Sequence, residues 1–339
     1  MWRARRILLL VLVGALAATG GLAVWVGVAL KDLGTEPLFG AGERQVVDVA
    51  AGTSLTALAG ELAQRGWLEH PRILRLYGRI SGKAAAIKAG EYAVEPGMTM
   101  LELLDRMVAG AVIRHRFTIV EGWTFRDVMR ALQSNSALRH IVGNDAPANV
   151  MARLGHAGEN PEGRFLPETY RFSRGATDVA LLERAYAAMQ RVLQAQWGQR
   201  AEDLPLQSPY QALILASIVE KETARAKERP RVAGVFIRRL ERGMPLQTDP
   251  SIIYGLGAEF DGDIGYRDLR NDSPYNTYTR KGLPPTPIAM PGRASIAAVL
   301  HPAAGEALYF VARGDGSHEF SATLAEHNQA VRKYLLHER

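Results

Sequence analysis

The stretch SPYQALILASIVEKET, Ser208 to Thr223, sets the terms on which the rest of the chain is read. Ser208 is a helix N-cap, Pro209 fits the first helical position, and Gln211 completes a capping box. Ala212 to Val219 then run without a charge, Ser217 supplying the only hydroxyl. A helix apolar on every side is enclosed on every side, so this one predicts a core. Glu220 arrives at the end of the run and shares a face with Leu213, Ala216 and Ser217. A carboxyl held against apolar packing has its pKa raised, stays protonated near neutrality and can deliver a proton. The plainer alternative is an ion pair with Arg225, Lys227 or Arg229. Glu222 points about 200° away on the helix and is expected, with Lys221, to face solvent or close the helix end.

Around this helix the chain has 339 residues, enough for an anchor and two domains. Hydrophobic residues make up 47%, so a proper core is available and disorder is excluded. The net charge is +6, and Arg3, Arg5 and Arg6 supply half of it. What remains is too small and dispersed for a nucleic-acid binder. With no Cys there is no disulfide framework, thiolate metal site or Cys nucleophile. His301, His318 and His327 lack metal-ligand spacing, and no cofactor or metal is expected.

Residues 7–30 carry no charge and would span roughly 36 Å as a helix, enough for the hydrocarbon core. The arginines before them place residues 1–6 in the cytoplasm, by the positive-inside rule, and everything after Leu30 outside. The expected protein is therefore single-pass in the plasma (inner) membrane, its C-terminal part periplasmic or extracytoplasmic, with the lipid bilayer as partner of residues 7–30. Ala15-Leu16-Ala17 suggests a cleaved signal peptide instead, but the apolar run continues from Ala18 to Leu30. Residues 31–44, rich in Gly, read as a linker.

A phrase then recurs: Gly52-Thr53-Ser54-Leu55, Gly97-Met98-Thr99-Met100 and Gly122-Trp123-Thr124-Phe125. Each is a turn, a hydroxyl cap and a helix start, with Thr99 and Glu102, or Thr124 and Asp127, at capping-box spacing. Strand-like runs precede them at Gln45 to Val49, Ala89 to Val94 and Arg116 to Val120. Residues 45–115 thus form a small strand–helix–helix–strand module. VVDVAAGTSLTALAGEL (46–62) and KAGEYAVEPGMT (88–99) are similar to a LysM carbohydrate-binding domain, which implies glycan binding; a spacing or docking role is the alternative.

Downstream, MPLQTDPSIIYGLG puts Gln247, Thr248 and Asp249 before a short helix with Pro250 at its first position. SPYNTYTRKGLPPTPIAMPG follows, its prolines forcing an extended, stiff path that displays Tyr275, Asn276, Thr277 and Tyr278. Hydroxyls, amides and aromatic faces of this kind suit a sugar chain. EGRFLPETYRF (162–172) is a similar stretch, and Glu162 and Glu168 are the other acid candidates. Ser295 to Leu300 reads as a helix, Ala307 to Ala312 as a strand, RGDGSHEF as a hairpin turn, and Ser321 as the cap of a closing helix. The C-terminal section is expected to be structural, and the basic run Arg225 to Arg242 to be a solvated helix face.

LASIVEKET (215–223), LQTDPSIIYG (246–255), YNTY (275–278), GLPPTPIAMPG (282–292), HPA (301–303) and LYFVA (308–312) resemble, in this order, the MltG (YceG-like) endolytic murein transglycosylases. EGRFLPETY departs from the family's pattern at Arg164. The resemblance implies an α+β protein: a single N-terminal transmembrane helix, a small LysM-like module and a larger α+β catalytic domain over 116–339. It implies cleavage of the MurNAc–GlcNAc β-1,4 linkage of nascent peptidoglycan, terminating or trimming glycan strands beside the wall synthases. It carries the catalytic acid onto Glu220, with Gln247, Thr248, Asp249, Tyr275, Asn276, Tyr278 and Glu168 as substrate-binding candidates.

One acid suffices for such a reaction. It protonates the leaving oxygen, the substrate's N-acetyl oxygen steadies the developing cation, and the sugar's own C6 hydroxyl attacks to leave a 1,6-anhydroMurNAc end. A muramidase using water would need a second acid from Glu168, Glu222 or Asp249. A non-enzymatic, membrane-anchored peptidoglycan-binding scaffold would bind strands without shortening them.

Overall fold

The structure, a computed structural model, describes residues 2–336, with side chains for all of these except 3–5, 7–9 and 11. Met1 of the expected tail and residues 337–339 of the expected second domain lie outside the described residues. The chain separates into two compact units. One runs to His115 and includes Ser173–Gly175; the other comprises Arg116–Phe172 and the chain from Ala176. Both mix helix and strand, and the described strands pair in three two-stranded sheets.

The first unit opens with α1 (Trp2–Thr35), a helix long and apolar enough, by length and composition, to cross a membrane. It does not give way to a linker at residue 31. The helix continues to Thr35, Ala29 and Leu33 are buried, Leu38 is buried beyond it, and Pro37 bridges Thr99. The four-residue spacing of Ala29 and Leu33 puts both on one helix face, and that face joins the module's core. The unit continues with β1 (Gln45–Val49), α2 (Leu55–Gln64), α3 (Pro71–Ile80), β2 (Gly90–Val94) and α4 (Met100–Ala109). β1 and β2 are antiparallel, Gln45 opposite Val94 and Val49 opposite Gly90. Ser54 caps α2, and Thr99 with Glu102 forms a full capping box on α4. Val47, Leu58, Leu62, Leu74, Tyr92 and Leu103 fill the core. Ser173–Gly175 belongs here because Arg174 pairs with the buried Glu91, which also meets His115.

β3 (His115–Thr118) leads into the second unit, followed by α5 (Phe125–Gln133), α6 (Pro147–Arg153), β4 (Thr169–Phe172), α7 (Asp178–Trp197) and α8 (Pro209–Glu222). Then come α9 (Arg229–Glu241), α10 (Asp249–Leu256), α11 (Arg293–Leu300), the hairpin β5 (Tyr309–Ala312) and β6 (His318–Ser321), and α12 (Leu324–Tyr334). Every residue of α8 from Ala212 to Val219 is buried, with α7, α9, α10 and α11 as neighbours. Ser217 is satisfied inside this apolar run: its hydroxyl donates to Ile214 O and accepts from Ile288 N–H, fastening the proline-rich stretch to the helix.

Three local expectations give way to tertiary structure. Gln211 donates its N–H to Ser208 Oγ, but its side-chain oxygen accepts from Gln207 N–H rather than from the cap residue. Thr323 with Glu326, not Ser321, caps the closing helix, because Ser321 is already paired as the last residue of β6. The basic run is only partly a solvated face. Arg229 and Arg239 are buried on α9, where carbonyl and carboxylate oxygens of other elements accept from them.

Candidate active site

At the end of α8 the two glutamates diverge. Glu220 turns toward α9 and the start of α11. Its Oε1 accepts from Arg229 Nη2 at 3.0 Å, and its Oε2 from Gly292 N–H at 2.9 Å. The side chain is 4% exposed and is not among the residues lining the cavity that Glu222 faces. Arg229 also reaches Glu121 Oε2 at 3.4 Å. A Cβ at residue 292 would come within 1.8 Å of Glu121 Oε1, so a larger residue there would push the Glu121 side chain aside. The expected apolar seat of Glu220 is therefore an ion pair, its two oxygens committed to protein donors.

Glu222, expected to face solvent, instead lines a cavity of about 420 Å³ with Arg239, Gln247, Asp249, Tyr278, Tyr309 and His327. Its Oε1 accepts from the Thr248 hydroxyl, and Oε2 accepts no hydrogen bond among the described residues. Burial pushes the carboxyl up to about 7, with the Asp249 carboxylate adding to the rise and Thr248 and Arg239 opposing it. This half-buried acid, holding a proton near neutrality and presenting a free oxygen, is a competent general acid.

The loop before α10 is held by the YNTY stretch. Thr277 accepts from Thr248 N–H through its hydroxyl and from Gln247 N–H through its carbonyl, both at 3.0 Å. Gln247 sits at φ +52°, a left-handed conformation that costs a non-glycine residue about 1 kcal/mol or more. Arg239 helps to hold it there, donating to Gln247 Oε1, to the carbonyls of Pro245 and Leu246, and, through Nε, to Leu308 O. One guanidinium thus ties α9, the 245–247 loop and β5 into one wall.

The sequence candidates fall into two groups. Gln247, Asp249 and Tyr278 line the Glu222 cavity, with Tyr278 OH donating to Asp249 at 2.6 Å, and Thr248 stands behind them on Glu222. Tyr275, Asn276 and Glu168 are not among its lining residues. Asn276 is buried and fastens the 268–271 turn by donating to the carbonyls of Asp268, Leu269 and Asn271. Tyr275 shares a hydrogen bond with Thr286 and meets Tyr254 edge-on. Glu168 is exposed, 3.7 Å from Arg293.

Glu162 lines a separate cavity of about 380 Å³ with Phe125, Arg126, Asn160 and Tyr254. Burial pushes it, too, up to about 7, but both its oxygens are occupied, by Phe125 N–H at 2.9 Å and Tyr254 OH at 3.1 Å. The C-terminal section, expected to be structural, contributes Tyr309, Phe310, His327 and Asn328 to the Glu222 cavity. His327 stacks on Tyr309, its buried Nδ1 has no partner among the described residues, and burial lowers its pKa with help from Arg239. Tyr309 could have been suspected from the LYFVA stretch; nothing local singled out His327.

The YceG-like family profile matches residues 47–333. An endolytic murein transglycosylase of Bacillus subtilis is 29% identical over 306 residues, covering 85% of this chain and 84% of the relative. The endolytic murein transglycosylase of Streptococcus pneumoniae is 25% identical over 324 residues, which take in 85% of this chain and 58% of that longer protein. A crystal structure of a yceG-like protein from Listeria monocytogenes superposes with a TM-score of 0.52 at 27% identity, covering 85% of this chain and 99% of that one.

Proposed function

This chain belongs to the YceG-like family, and we propose on that footing that it is a membrane-anchored endolytic lytic transglycosylase acting on peptidoglycan. The observation that carries the reading is the free Oε2 of Glu222, facing a polar cavity on a carboxyl pushed up to about 7. Glu222, rather than Glu220, then protonates the oxygen leaving the MurNAc anomeric carbon. The substrate's N-acetyl oxygen steadies the cation, the C6 hydroxyl attacks, and the Glu222 carboxylate takes the C6 proton. The products are a free GlcNAc end and a 1,6-anhydroMurNAc end, with no water consumed. Because nucleophile and electrophile belong to one sugar, proximity replaces the second carboxylate of ordinary glycosidases. Asp249 and Tyr278, hydrogen-bonded to each other on the cavity wall, orient the strand.

Retention of α1 as an anchor is supported by the apolar run from Ala18 to Leu30, which cleavage after Ala17 would leave as a sticky new N-terminus. The β1–α2–α3–β2 order supports a glycan-holding role for that unit. The test is product analysis on purified peptidoglycan. The full chain should release anhydro-ended fragments, one water lighter than hydrolytic ones, and Glu222→Gln should release none while melting no lower than the parent. Hydrated ends would point to water activated by Asp249, and a Glu222→Gln protein that still cuts strands at the parental rate would remove the assignment.

A further inference from the structure

The end of α1 and the start of α3 are locked together in a way that fixes where a membrane surface would fall. From Ala29 onward α1 is part of the first unit's core, so the length left for lipid is residues 7–25, roughly 28 Å of helix. That is close to the ~30 Å hydrocarbon thickness, and it puts Trp25 at the boundary, where tryptophan is favoured. Trp25 meets the His70 ring edge-on, centroids 5.3 Å apart, and His70 is the residue from which α3 starts.

α3 has an unusual outward face. Arg72, Leu76, Arg79 and Ile80 recur at helical spacing on its exposed side. Ile80 is 78% exposed, the most exposed large apolar side chain among the described residues. The helix contains no acid, and neither Arg72 nor Arg79 has an ion-pair partner among the described residues; the same holds for the half-buried Arg75. Unpaired guanidinium groups beside exposed Leu and Ile match a headgroup layer, where phosphates accept from arginine and short apolar side chains reach the acyl boundary. The start of α3 therefore lies at the level of Trp25.

We propose that this face of α3 docks on the anionic surface of the bilayer that α1 crosses, holding the first unit flat against it. The proposal rests on reading α1 as a retained anchor. Single cysteines test it in the full chain, which has none of its own. Leu76→Cys and Ile80→Cys, spin-labelled in phosphatidylethanolamine–phosphatidylglycerol vesicles, are compared with Leu16→Cys in α1 and with Asp261→Cys, exposed in the second unit. Labels at 76 and 80 should collide with an aqueous nickel chelate about threefold less often than at 261, and with oxygen more often. Arg72→Glu with Arg79→Glu should return position 80 to the level at 261. Water-like labels at 76 and 80 beside a lipid-buried label at 16 overturn the docking alone, and a water-like label at 16 overturns the anchor with it. A label at 80 immobilised without oxygen access, as a second protein copy covering the face would produce, also overturns it.

Discussion

Burial and the Asp249 carboxylate together outweigh Thr248 and Arg239 and lift the Glu222 carboxyl to about 7, so a large share of it keeps its proton near neutrality. Its raised pKa has two consequences of definite sign. In its proposed role as the acid it would work in the protonated form, so kcat/KM should be level below about pH 7 and fall about tenfold per unit above it. As a folding term, a carboxyl that binds its proton more tightly when folded stabilises fully below the ordinary value of 4.5, and that stability is lost as pH rises through about 7. Glu222→Gln keeps the shape without the charge. It should melt as the parent does at pH 4 and be about 1–2 kcal/mol more stable at pH 8, the shift being discounted for partial solvent access. Glu162 contributes with the same sign to parent and variant alike and cancels in the comparison. Glu220 behaves differently. Glu220→Ala leaves the buried Arg229 guanidinium only the longer contact to Glu121 and leaves the Gly292 N–H without its acceptor, and denaturant unfolding should report a loss of about 3 kcal/mol.

Among the elements, α9 carries the most weight for the site, since one of its turns places Arg239 against three carbonyls on two separate backbone segments. Arg239→Met keeps much of the side-chain volume but leaves the carbonyls of Leu246 and Leu308 without this donor. Equilibrium unfolding should show a cost of about 2–3 kcal/mol. Because the guanidinium also lowers the Glu222 pKa, the alkaline limb of the activity profile should move to higher pH in the same variant. A purely structural role for Arg239 would move the unfolding curve and leave that limb in place.

For the molecule as a whole, α1 combines two features in one continuous helix. It has the length and composition of a membrane span, and its last turns complete the core of the first unit. A chain beginning at residue 26 keeps Ala29, Leu33 and Leu38 and should retain the melting transition of that unit. A chain beginning at residue 40 uncovers the side of the core they close. The transition should then be weakened by about 2–4 kcal/mol, read by calorimetry on the two truncations.

Local chemistry made much of this protein legible. Ser208 and Pro209 start a helix, Ala212 to Val219 demand enclosure, Thr99–Glu102 and Thr124–Asp127 close capping boxes, and β1 and the β5–β6 hairpin lie where alternation and turn residues put them. Those signals act within a few residues, so the sequence alone determines them, and the ordered motifs it carries were enough to point to the family. Which glutamate meets the cavity was another matter. Helical spacing places Glu220 and Glu222 on different sides of α8 but cannot say that Arg229, nine positions on, closes one side while Thr248, Asp249 and Tyr278 open the other. Nor can it bring His327 and Tyr309 to the same wall. Those assignments depend on contacts between residues far apart in the chain, and only the packing of α8 against α9, α10 and the C-terminal hairpin decides them.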